Sequence, residues 1–181
     1  MDREEVEVVV QLLRATRDLV DPEPRPRTGD PLEDLVGGMP DPAAEVRQPE
    51  DPALLRLLPP AHREDAEQAQ EFRAMTERGL RTRKAATLDA ALEALESAEG
   101  PRISLSTDQA AALGVALTDV RLVLGERLGL RTDEDAEQIH QTLARALAGE
   151  ADVDPAHAQL IAYYDFLTWL QETVTTALLR R

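Results

Sequence analysis

Val6, Val9, Leu13 and Val20 recur near helical spacing behind Asp2 and Glu5, which are placed to cap each other, so the pattern predicts a first helix over 3–20. The β-branched run Val8-Val9-Val10 argues for a strand, but no partner strand follows it. Residues 21–51 then hold seven prolines and the pair Gly37-Gly38, which predicts a long acidic loop. Within it, Leu32, Leu35 and Val36 are spaced for one helical turn that docks on the core. Asp51-Pro52 reads as a cap followed by a first-turn proline and opens a short helix through Leu58, stopped by Pro59-Pro60. A longer helical segment runs from near Arg63 to about Ser97, ended by Gly100-Pro101. Its apolar stripe changes phase. Phe72, Met75 and Gly79 share one face, whereas Leu80, Leu88, Leu92 and Leu95 share another, and a kink or break near Gly79 would reconcile the two.

Ser106 with Gln109 forms a capping box for a helix over about 107–129 whose core face is Leu113, Leu117, Val120, Leu124 and Leu128, with Gly129 closing it. Thr132 with Asp135 starts another, carrying Ile139, Leu143 and Leu147 and stopping at Gly149. Asp154-Pro155 launches the last, over about 156–180. It holds four of the chain's five aromatics, Tyr163, Tyr164, Phe166 and Trp169, and is apolar around much of its circumference, as expected of a central helix or an oligomer interface. The aromatics read first as core residues, with at least one facing a second contact surface. No internal repeat of fixed period is present. The fold expected is all-α: a single domain over 1–181, a bundle of about five helices with a long proline-rich acidic loop at 21–51.

Composition narrows the function. The 181 residues are 43% hydrophobic, enough for a domain that buries roughly 70% of its unfolded surface. With 35 acidic and 20 basic residues the formal net charge is -15, which repels phosphate backbones and anionic membranes. The absence of cysteine excludes disulfides, thiolate nucleophiles and thiolate metal sites, and fits a reducing compartment. The start MDREEVEVVV places acids where a signal peptide needs positive charge, and no apolar run approaches the roughly 20 residues of a membrane span. A cytoplasmic protein without membrane contact is expected.

Few residues carry recognisable chemistry. Glu137 and His140 make a Glu-x-x-His pair, but a carboxylate di-metal site in a bundle needs a second such pair, and the sequence has none. His62 and His157 fall at loop or helix-start positions and read as ordinary polar contacts. Ser97, Ser104 and Ser106 lie at helix ends, with neither Gly-x-Ser-x-Gly nor a glycine-rich phosphate loop nearby. The expectation is a protein with no enzymatic activity, cofactor or metal. A helix-turn-helix could be sought at 107–147, yet its second helix would begin with Asp133, Glu134, Asp135 and Glu137 where phosphates must approach, so direct nucleic-acid binding is disfavoured. The sharpest local feature is cationic: Arg78, Arg81, Arg83 and Lys84 lie within seven residues of an acidic chain and read as a partner-binding patch. Lys84 falls in line with Leu80 and Leu88, so its stem is expected to pack while its head snorkels to water. Reversing Arg81 and Lys84 to glutamate should then weaken a partner contact and let the fold survive, with some cost from the packed stem of Lys84.

Three blocks, LRLLPPAHREDAEQAQEFRAMTERGLRTRK (55–84), DVRLVLGERLG (119–129) and YYDFLTWLQETVTTALL (163–179), together resemble the actinobacterial oxidative stress regulator AosR family, in order and spacing as well as in residues. The resemblance implies a transcription-associated regulator that binds an alternative sigma factor during redox stress, and it transfers no catalytic residue. Redox sensing through a cysteine pair is attributed to some members. This chain has no cysteine, so that switch does not carry over, and Met39 and Met75 are its only internal sulfur sites. The function expected is regulation through a protein partner, an alternative sigma factor by resemblance, with self-association left open. A DNA-binding transcription factor and a helical-bundle enzyme are the alternatives.

Overall fold

The computed structural model describes residues 2–20, 49–61, 65–98, 103–148 and 152–180. The proline-rich loop, including the turn expected at Leu32, Leu35 and Val36, lies outside them except for its last three residues. Among the described residues there are six helices and no strand: α1 (Arg3–Val20), α2 (Pro52–Leu57), α3 (Ala66–Glu96), α4 (Thr107–Arg127), α5 (Asp133–Leu147) and α6 (Pro155–Leu179).

Caps set most of these boundaries. The Asp2 amide donates to Glu5 Oε2 and the Glu5 amide to Asp2 Oδ1, so α1 starts where the residue pattern places it. The valine run is helical despite its β-branching because Val9 and Val10 are buried. Asp51 caps α2 by accepting from the Ala53 amide, and Asp65 caps α3 by accepting from Glu67 and Gln68. Capping boxes at Ser106 with Gln109 and at Thr132 with Asp135 open α4 and α5. Past the end of α4, Gly129 adopts φ 74°; its amide donates to Glu126 O and that of Leu130 to Gly125 O, the paired bonds of a left-handed helix terminus. Only a residue without Cβ holds that φ at no steric cost.

α4 is the central helix, packed against α1, α2, α3 and α6, while α1 also lies along α3. The core runs through Val9, Leu13, Val20, Leu57, Leu88, Ala91, Leu95, Leu113, Leu117, Val120, Leu124 and Leu167. Each leucine buried this fully contributes about 1.5–3 kcal/mol over its exposed state. Of the two roles expected of α6, central helix or oligomer interface, the central one belongs to α4. α6 flanks it, and α5 has the sparsest packing of all. None of the five aromatics is fully buried: Tyr163, Tyr164 and Phe166 cover the edge of the core, and Trp169 is 52% exposed. Small and branched side chains let α1, α3 and α4 approach closely, and the large rings are left at the margin of α6.

Of the kink or break expected near Gly79, the break is absent: α3 runs uninterrupted from Ala66 to Glu96. Its buried face never changes phase. Arg73, Glu77, Leu80, Lys84, Leu88, Ala91 and Leu95 succeed one another at three- and four-residue steps, and the first turns of that face are ionic where the later ones are apolar.

Candidate partner-binding face on the third helix

The inward side of the first half of α3 is an ion-pair ladder. Arg73 Nη1 donates to Glu77 Oε2 at 2.7 Å and Arg81 Nε to Glu77 Oε1 at 2.9 Å, so one carboxylate holds a guanidinium on each side. The same guanidiniums reach the Leu58 and Val20 carbonyls at 3.4 Å, tying α3 to the ends of α2 and α1. One turn further on, Lys84 Nζ donates to Asp119 Oδ1 of α4 at 2.6 Å. The Asp119 side chain is 5% exposed and that of Lys84 19%, so the lysine head does not snorkel but closes a pair between two helices.

Of the four cations singled out in the sequence, Arg81 and Lys84 are therefore engaged inside the bundle, while Arg78 and Arg83 stand at the surface. The expectation that the fold survives the reversal of Arg81 and Lys84 at little cost is corrected by this geometry. A glutamate at 81 would face Glu77, and one at 84 would face buried Asp119. Glu77 is legible in the sequence as a local acid placed to neutralise the cluster, whereas Arg73 and Asp119 were missed; the buried positions of Arg73 and Glu77 follow from the spacing of the leucines that continue the same face of α3.

The outward side carries Phe72, 45% exposed, and Met75, 74% exposed, followed at helical spacing by Gly79 and Arg83. The hydroxyls of Thr76, Thr82 and Thr87 donate to carbonyls one turn back, Phe72 O, Arg78 O and Arg83 O. Between Phe72 and Leu88 the sequence holds five cations and one acid, and that acid is the buried Glu77. Over almost five turns this helix thus presents solvent with apolar, small and cationic side chains and no carboxylate.

Other candidates resolve differently. Glu137 accepts from Gln141, and His140 Nε2 lies 3.0 Å from Asp165 Oδ1 on α6, so the Glu-x-x-His pair does not converge on a common point. The hydrogen bond to Asp165 holds the His140 pKa above its ordinary value, against a smaller opposing effect of burial. Among the described residues no group of three or more His, Asp or Glu is placed to hold a metal ion. His157 lines a cleft of about 280 Å³ under α5, with Leu128, Ile139, Leu143, Val153 and Ile161 as its apolar wall. His62 lies outside the described residues. Ser106 is the cap of α4, and Ser97 closes α3, its amide donating to Glu93 O. Phe166 and Trp169 stack with ring centroids 6.0 Å apart at the margin of α6.

The family described as Domain of unknown function (DUF2017) matches residues 1–178. The chain belongs to the DUF2017 family. No curated protein and no solved structure matches it. In this DUF2017 chain the match takes in all six helices, both faces of α3 included. No helix among the described residues is long and apolar enough to cross a membrane.

Proposed function

We propose that this DUF2017 protein is a non-enzymatic regulator that acts by protein contact in the cytoplasm, and that its partner is an alternative sigma factor, as the AosR likeness implies. The observation that carries the reading is the outward face of α3. A chain of net charge -15 keeps one long helix surface free of carboxylates and sets a 74% exposed methionine on it. Exposed apolar side chains ringed by charge opposite to the molecule's own favour association with an acidic protein surface. This face lies in the 55–84 block that carries the likeness, and it keeps Arg78 and Arg83 of the original patch while Arg81 and Lys84 brace it from within.

The test is calorimetric titration of the host's alternative sigma factor into the wild type and into a Met75→Glu, Arg83→Glu variant, at two salt concentrations. The variant should bind about 1–3 kcal/mol more weakly while its circular dichroism is unchanged, since neither side chain belongs to the core. Unchanged affinity in the folded variant would remove the face from the mechanism. No binding by the wild type would remove the sigma factor.

A further inference from the structure

Gly79 sits in the interior of α3, on its solvent side, where glycine is the least favourable residue after proline. Nothing among the described residues requires it. Its φ is not positive, and among the described residues a Cβ added there would meet only Arg83 Nη1, at 3.7 Å, an ordinary contact with the tip of a flexible side chain. The other glycines inside helices have visible reasons. A Cβ on Gly114 would meet Val174 at 3.8 Å and one on Gly125 would meet Tyr164 at 3.7 Å, both in α6, so these glycines mark where a second helix lies close on α4. Among the described residues Gly79 has the same form without the second helix. One turn to either side stand Met75 and Arg83, a long apolar side chain and a cation.

We propose that Gly79 is the crossing point for an acidic amphipathic helix of a partner protein, which lays its apolar stripe between Met75 and Arg83 and brings its backbone close at the glycine. The charge follows from the surface, because no carboxylate of α3 faces outward between Phe72 and Leu88 and an acidic helix meets no like charge from it. This rests on the proposed regulatory reading and adds the shape and charge of the partner element to it.

The probe is a synthetic amphipathic helical peptide with leucine and alanine on one face and glutamate on its flanks, beside a twin with lysine in place of glutamate. Each is titrated into the isotope-labelled full chain and followed by amide chemical shifts. The acidic peptide should shift resonances across residues 72–86, centred on Gly79, and the basic twin should not. Gly79→Leu should weaken the acidic peptide by about tenfold or more while the melting temperature holds or rises, because the substitution improves helix propensity and displaces nothing inside. Gly79→Ala should raise the melting temperature with a smaller loss of binding. Equal shifts with both peptides, no shifts on α3, or undiminished binding by Gly79→Leu would each overturn the proposal. If the sigma factor binds and Met75→Glu with Arg83→Glu abolishes it while Gly79→Leu does not, the regulatory reading stands and the helix crossing falls.

Discussion

Glu77 is 9% exposed and lies between two guanidiniums, so each of its oxygens is spoken for and neither arginine is left with an unpaired charge toward it. Taking away the middle member is unlike taking away a surface charge. Glu77→Ala leaves two cations side by side in a site with little water, and breaking a buried pair in this way costs about 3–5 kcal/mol. Chemical denaturation should show this as a lower midpoint at unchanged slope. Replacing Arg73, Glu77 and Arg81 together by Met, Leu and Met should be far milder, because the desolvation penalty goes with the charges. A Glu77→Ala unfolding free energy within about 0.5 kcal/mol of wild type would show that water reaches the ladder freely. The ladder also explains a misreading. Counting hydrophobic positions alone makes the buried face of α3 appear to jump at Gly79, because Arg73 and Glu77 hold places that such a count assigns to solvent. Phe72 and Met75 then pass for the inner face when they form the outer one.

Helix boundaries were the legible part, because caps and terminators act over three or four residues and leave their mark in sequence: Asp2 with Glu5, Asp51-Pro52, Ser106 with Gln109, Thr132 with Asp135, and Asp154-Pro155 each open a helix where the pattern places one. Which helix would be central was not legible. Ala116, Gly125 and Gly114 make α4 thin enough to be surrounded, and thinness leaves no trace in a hydrophobic count. Pairings between helices were equally hidden, such as Lys84 with Asp119 and His140 with Asp165. The second has a consequence at the level of its element. α5 packs sparsely and leans on α6 through this ion pair, with the cleft beside it. Asp165 raises the His140 pKa, so the pair's stabilising contribution is fully present below the unfolded histidine value of about 6.5 and is lost as pH rises through the higher folded value. Other titratable groups on the two helices are Asp133, Glu134, Asp135 and Glu137 on α5 and His157 on α6, with Asp135 and His157 lining the cleft. Amide exchange over 133–147, corrected for intrinsic rates, should therefore be slower at pH 5.5 than at pH 8, and Asp165→Asn should remove the difference. Persistence of the difference in that variant would assign it to another group.

At the scale of the whole molecule, charge and the geometry of α4 and α5 bear together on nucleic acid. The two helices are joined by the tight turn at Gly129, as a helix-turn-helix would be, and the second begins with Asp133, Glu134 and Asp135. A phosphate approaching a helix start needs free backbone amides. Here the Arg131 and Thr132 amides both donate to Asp135 Oδ2, at 2.9 and 2.8 Å, and these bonds hold the Asp135 pKa below its ordinary value. A phosphate approaching this turn thus meets the Asp135 carboxylate beside the helix start, and the -15 net charge adds a long-range barrier in front of it. A labelled duplex titrated with the protein at about 50 mM salt, where phosphate contacts are strongest, should give no saturable change in anisotropy up to about 100 μM, the weak end of non-specific binding. Saturable binding that weakens steeply with salt would overturn this and move the functional surface from α3 to the α4–α5 turn. A change that appears only once the sigma factor is added, and that is lost with Met75→Glu and Arg83→Glu, would place DNA contact on the partner and leave this chain to act on it through α3.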